Sequence, residues 1–144
     1  MTRFIPLSDT VSVSPQISAT DIETAAREGF DTVINNRPDG EEAGQPTSAQ
    51  IEAAAREAGL TYLAIPIGAS GFTDESVRQM SEALDTANRT LAYCRSGTRS
   101  TYLWALASAS QGVDTDDLVA AAAGAGYDLS PLLPQLELLS AQDD

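Results

Sequence analysis

The chain has 144 residues, 42% hydrophobic and 20% charged, enough to bury a core without disulfides or a metal and read here as one domain over residues 1–144. All eight basic residues are arginines and the formal net charge is −13, a balance expected to repel nucleic acid and anionic membrane surfaces. One cysteine and no histidine exclude an internal disulfide, the usual zinc constellations, and Ser-His-Asp or Cys-His catalysis.

No stretch approaches the roughly 18 consecutive apolar residues of a membrane span. The segment Met1-Thr2-Arg3-Phe4-Ile5-Pro6 lacks a signal peptide's apolar run and cleavage site, so a cytoplasmic location is expected.

After a short N-terminal stretch containing Val11-Ser12-Val13, Ser18 and the acidic turn that follows it open a helix that stops at Gly29. Phe30 to Asn35 is short and β-branched and breaks into Asn36-Arg37-Pro38-Asp39-Gly40, a strand followed by a loop. Ser48 caps an alanine-rich helix ending at Gly59, and Leu60 to Ile65 gives the next strand. Thr73-Asp74-Glu75-Ser76 opens a helix with Val77, Met80 and Leu84 at helical spacing. Thr90 to Tyr93 is a short apolar strand that delivers Cys94 to a turn, and an apolar helix runs on from Arg99. Two further helical segments, near Thr115 to Ala123 and Ser130 to Leu139, close the chain. Strands alternating with helices imply a mostly parallel sheet covered on both faces, with ligands at the carboxyl ends of its strands.

Cys94 stands at such an end, in the loop Cys94-Arg95-Ser96-Gly97-Thr98-Arg99-Ser100. There the positive end of the helix dipole, the loop amides, Arg95 and Arg99 all favour a thiolate over a thiol whose ordinary pKa is about 8.5. Gly97 permits a tight turn that aims amides inward, Ser96, Thr98 and Ser100 supply hydroxyls, and Arg99 is able to grip an oxyanion with two parallel hydrogen bonds. A lone cysteine is more often a buried hydrophobe. Here a run of polar residues and one glycine follows it, two of them arginines that are not buried unpaired, which turns the balance toward function. Asn36 and Arg37 follow another strand and are placed as accessory pocket residues, the alternative being an ordinary turn with a solvated Arg-Asp-Glu cluster. Thr47, Trp104 and the series Leu132, Leu133, Leu136 read as cap and core.

The Cys94 loop resembles that of rhodanese-type sulfurtransferases, and more distantly that of the cysteine-dependent, dual-specificity-like protein tyrosine phosphatases. Phosphatases of that type carry histidine before the cysteine and an arginine six residues after it. Those positions are Tyr93 and Ser100 here, and Arg99 comes one residue early. A shorter ring of amides suits a persulfide sulfur better than a tetrahedral phosphoryl group. Residues from about Phe4 to about Ala107 are similar to a bacterial family of small phosphatase-like domains, the beta-lactamase hydrolase-like proteins, some fused to metallo-β-lactamase-like persulfide dioxygenases. The blocks that carry this are Thr32 through Glu42, Tyr62-Leu63-Ala64-Ile65-Pro66-Ile67, and Tyr93 through Leu106.

The resemblance implies an α/β, protein tyrosine phosphatase-like (dual-specificity-like) fold with a mostly parallel central sheet flanked by helices. It also implies a small anionic substrate, either a sulfur donor or a phosphate ester, and a persulfide dioxygenase as a candidate partner. No cofactor or metal is expected. In the dual-specificity group an aspartate acid sits just after the strand that here ends Ile65-Pro66-Ile67, whereas this chain has Gly68; Asp74 and Asp39 are not obvious substitutes. Sulfur transfer needs no such acid. The sequence therefore ranks a sulfurtransferase first, with Cys94 as nucleophile and Arg95 and Arg99 on the donor anion. A cysteine-dependent phosphatase comes second and a non-catalytic anion-binding module third.

Overall fold

The computed structural model describes residues 4–142. Ser18 and Asp21, Thr47 and Gln50, and Thr73 and Ser76 form reciprocal capping boxes that start the helices α1 (Ala19–Arg27), α2 (Ser48–Glu57) and α3 (Asp74–Thr86). The helices α4 (Thr98–Ser110), α5 (Thr115–Gly124) and α6 (Leu133–Gln142) follow, with a 3₁₀ turn at Ser130–Leu132. Ser48, expected as a cap, is the first helical residue of α2; Thr47 caps instead, and the Ser48 N–H is taken by the Asp39 carboxylate at 2.7 Å.

Between the helices run the strands β1 (Ile5–Pro6), β2 (Val11–Ser14), β3 (Thr32–Asn35), β4 (Thr61–Ala64) and β5 (Thr90–Tyr93). They form a five-stranded sheet in the order β1-β2-β5-β3-β4, parallel except for β1, which pairs antiparallel with β2. The stretch around Val11, to which hydrophobic periodicity assigns no element, is β2, buried along its whole length beside the central strand. Phe30 and Leu60 precede β3 and β4 rather than opening them, and both pack in the core.

Alternation along the strands sorts the core into two layers. Val33, Leu91 and Tyr93 face α1 and α2 together with Ile22 and Ile51, whereas Val13, Ile34 and Ala92 face the other helices with Met80, Leu103 and Leu118. With both faces covered, β3 and β5 carry adjacent apolar residues, Val33-Ile34 and Leu91-Ala92-Tyr93, whereas β2 alternates valine and serine. Ile34, fully buried at the middle of β3, has no room to be replaced without a void. Ile34→Ala is therefore expected to cost about 2–5 kcal/mol, read as a lowered urea midpoint at unchanged slope; a loss under about 1 kcal/mol would contradict this packing. Among the described residues no helix is long and apolar enough to cross a membrane.

Candidate active site

Cys94 leaves the sheet directly after β5, its central strand. The Cys94 N–H donates to the Ser14 carbonyl at 3.3 Å, the Gln16 N–H to the Arg95 carbonyl at 3.2 Å, and the Asn36 N–H to the Tyr93 carbonyl at 2.8 Å. The start of the loop is thus fastened on both sides, to the end of β2 and to the end of β3. Fixed this way, the cysteine cannot drift with the loop that follows.

That loop ends at Gly97, the N-cap of α4, in a left-handed conformation at φ 92° that favours glycine. Unlike α1, α2, α3 and α5, α4 has no side-chain cap. Its first N–H groups therefore remain to be satisfied by something other than a cap. The Gly97 N–H donates to Cys94 Sγ at 3.1 Å, and the Thr98 N–H makes a long contact of 3.4 Å with Ser96 Oγ. The N–H groups of Arg95, Ser96, Arg99 and Ser100 meet no acceptor among the described residues. Cys94 is fully buried, and its sulfur has a polar partner in the Gly97 N–H. The Ser100 hydroxyl, on the first turn of α4, is buried without a hydrogen-bond partner, an arrangement native cores rarely keep.

Arg99 is turned inward. Its Nη1 and Nη2 donate to the two oxygens of Glu41, each at 2.8 Å, and Nη1 also donates to the Ile67 carbonyl at 2.8 Å. A guanidinium carries five N–H groups, so its Nε–H and one Nη2 N–H stay uncommitted, along the side edge that suits a bidentate oxyanion. The hydrogen bond to Glu41 raises the Arg99 pKa first, against burial, and the charge of Cys94 adds to it. Arg37 is buried, its side chain only 2% exposed, and its three guanidinium nitrogens bond Glu41, Glu42 and Gln16 at 2.8, 2.8 and 3.0 Å. Burial opposes the charge on Arg37, and the hydrogen bonds to Glu41 and Glu42 more than offset it.

Among the residues the sequence singles out, Gly97 meets Cys94 Sγ through its N–H and Arg99 interacts with the same sulfur, while Ser100 lies on the first turn of α4 with its hydroxyl unpartnered. Arg95 does not turn in: its side chain is 66% exposed and its Nε lies 3.6 Å from Glu42. The Ser96 and Thr98 side chains bond one another at 3.0 Å on the lip of the loop. Asn36 is buried beneath the site, where its Nδ2 donates to the Ile65 carbonyl at 2.9 Å and its Oδ1 has no partner. The fork of Arg37 is spent on Glu41, Glu42 and Gln16, and Glu41 links it to Arg99. Glu41, Gln16 and Tyr127, which carry no local motif, also contact these residues. Glu41 was visible as part of a charged cluster, but nothing local tied it to an arginine 58 residues away.

Glu41 lies between two arginines, and the hydrogen bond from Arg99 holds its pKa down at about 2, against an ordinary 4.5. A depressed carboxylate contributes stability that is complete above its unfolded pKa and is lost as the pH falls through the folded one. For Glu41 that window runs from about pH 4.5 down to about pH 2. The urea midpoint of wild type is expected to exceed that of Glu41→Gln at neutral pH, and the gap to close across this window. A gap that stays constant would contradict the ion pair.

Comparison with known proteins follows the same lines. The family described as "Beta-lactamase hydrolase-like protein, phosphatase-like domain" matches residues 3–111. A beta-lactamase hydrolase-like protein of Xylella fastidiosa is 32% identical over 142 residues, covering 97% of this chain and 33% of the relative. The chain thus spans about a third of the length of the curated relatives it matches. A candidate phosphatase from Neisseria meningitidis superposes with a TM-score of 0.81 at 33% identity, covering 94% of this chain and 97% of its own. The kinase-associated phosphatase, at 16% identity with a TM-score of 0.72 and 96% and 91% coverage, shares the fold. The fold is protein tyrosine phosphatase-like, and the chain belongs to the beta-lactamase hydrolase-like, phosphatase-like domain family.

Proposed function

We propose that this chain is a cysteine-dependent phosphatase that hydrolyses a phosphate monoester through a phosphocysteine on Cys94. The observation that carries the reading is the surroundings of one sulfur. Sγ accepts the Gly97 N–H, the Arg95, Ser96, Arg99 and Ser100 N–H groups of the following loop and first helical turn have no acceptor among the described residues, and Arg99, which interacts with Cys94, keeps an uncommitted edge. Those donors match the three non-bridging oxygens of a phosphoryl group, and the thiolate supplies the nucleophile. The family match and the Neisseria relative support phosphate chemistry over the sulfur transfer that loop spacing alone ranks first.

In the first step the Cys94 thiolate forms an S–P bond, the ester P–O bond breaks, and its electron pair leaves on the alcohol or phenol oxygen. Water then attacks phosphorus, the S–P bond breaks with its electron pair returning to sulfur, and the thiolate is regenerated as inorganic phosphate leaves carrying the water's oxygen and protons. Neither nearby aspartate serves as a ready acid for the leaving oxygen: Asp39 is bonded to the Ser48 N–H, and Asp74 lies in the first turn of α3. The loop after β4 instead gives its Ile67 carbonyl to Arg99. Esters with acidic leaving groups, such as aryl phosphates, are therefore the preferred class, since they depart without a proton.

Sulfur transfer is the second reading, favoured by the early position of Arg99 and by Gly68 in place of an acid. A persulfide dioxygenase partner belongs to that reading alone. A p-nitrophenyl phosphate assay run beside a thiosulfate-to-cyanide assay separates the two. Release of nitrophenol that depends on Cys94, with thiocyanate formation at background, is the expected result. Thiocyanate without ester hydrolysis would install the sulfurtransferase, and neither activity would install the anion-binding module.

A further inference from the structure

Tyr127, in the turn after α5, lies outside every motif discussed above, yet its hydroxyl donates to the Ser96 carbonyl at 3.1 Å. The carbonyl of Ser96 and the N–H of Gly97 are the two ends of one peptide group. A trans peptide is planar and its C=O and N–H point in opposite directions, so fixing one end fixes the other. Here the carbonyl end is held by Tyr127 on the outside and the N–H end meets Cys94 Sγ at 3.1 Å on the inside. Glycine accepts φ of either sign at little cost, so the peptide preceding Gly97 has no intrinsic preference strong enough to keep its N–H inward.

We propose that Tyr127 is a positioning residue for Cys94, which by holding the Ser96 carbonyl turns the N–H of the same peptide onto the sulfur. The inference rests on Cys94 being the nucleophile, and not on which substrate it attacks. Three further observations fit it. A Cβ built on Gly97 would overlap the Tyr127 hydroxyl, so the loop glycine is required by the tyrosine as well as by its own backbone angle. The half-buried Tyr127 phenol has its pKa raised by burial and by the charge of Cys94, which keeps the hydroxyl a donor at neutral pH. The tyrosine is itself anchored, its N–H donating to the Ala122 carbonyl at 2.8 Å and its ring packing on the core beneath α4.

The other charged groups about the sulfur are Arg99 and, through it, Glu41, with Arg95 and Glu42 at the mouth. Tyr127→Phe keeps the ring and all of these and removes only the hydroxyl. The test is the rate of iodoacetamide alkylation of the full chain from about pH 5 to about pH 9, with Cys94→Ser as blank. A hydrogen bond to a charged group is lost for part of the time, so Tyr127→Phe is expected to alkylate about tenfold more slowly near pH 6 and to converge with wild type at high pH. The whole profile moves to higher pH. Gly97→Ala, which sets a methyl where the hydroxyl lies, is expected to move it the same way.

Superimposed profiles for Tyr127→Phe and wild type would overturn the proposal. So would a rate lowered equally at every pH, because that reports access to the sulfur rather than orientation of the peptide. The phosphatase reading is judged separately by ester hydrolysis in wild type: a shifted profile in a chain that hydrolyses no ester supports Tyr127 and sinks that reading alone.

Discussion

Cys94→Ser is expected to lower turnover of p-nitrophenyl phosphate by about 10⁴-fold or more, the scale seen when a covalent nucleophile is removed. Serine is nearly the same size and still accepts the Gly97 N–H, so the loop and the fold remain. What disappears is the thiol, whose thiolate is the nucleophile of the proposed reaction; a hydroxyl in its place stays protonated and attacks poorly, with no histidine anywhere in the chain to activate it. The variant should therefore unfold at the wild-type urea concentration while its kcat collapses. Turnover within about tenfold of wild type would place the chemistry on another residue.

Arg99→Lys is expected to lower kcat/KM by about 10²- to 10³-fold, although it preserves the charge. Arg99 bonds Glu41 in a fork and Ile67 through one nitrogen, and still presents Nε–H and an Nη2 N–H on its side edge. A lysine ammonium has three donors and no planar fork. It satisfies Glu41 or the incoming anion, but not both in these directions. The loss should fall on kcat as well as KM, because the oxyanion's charge is met most closely in the transition state. A value within about threefold of wild type would reduce Arg99 to a tie between the loop carrying Glu41 and the one carrying Ile67.

The sequence made the strand-loop-helix around Cys94 legible because its signals are local. An apolar run ends abruptly, a run of polar residues and glycine follows, and an apolar helix resumes. The same holds for the caps at Ser18 and Thr73, whose partners lie three residues on. Thr47 and Ser48 both read as caps because adjacent hydroxyl residues give the same local signal; the structure bears out Thr47, and Asp39, from the preceding loop, takes the Ser48 N–H.

Contacts across the chain were not readable in this way. Glu41 reaches Arg99 and Tyr127 reaches Ser96 only because β3, β5 and α5 end on the same side of the structure. Proximity in sequence also misled: Arg95 adjoins the cysteine but points to solvent and Glu42, whereas the distant Glu41 governs the inward arginine. Loop spacing pointed to sulfur transfer because it counts residues between Cys94 and Arg99. The phosphatase reading rests instead on the Gly97 N–H at Sγ and on the N–H groups without acceptors in the loop and helical turn that follow Cys94.

The most direct measurement is mass spectrometry of the Cys94 peptide from enzyme acid-quenched during turnover of an aryl phosphate. One phosphoryl group on Cys94, absent from Cys94→Ser and lost as substrate is exhausted, is the predicted result. An actively hydrolysing enzyme whose Cys94 is never phosphorylated, or a Cys94 that gains only a sulfur atom from thiosulfate, would contradict it.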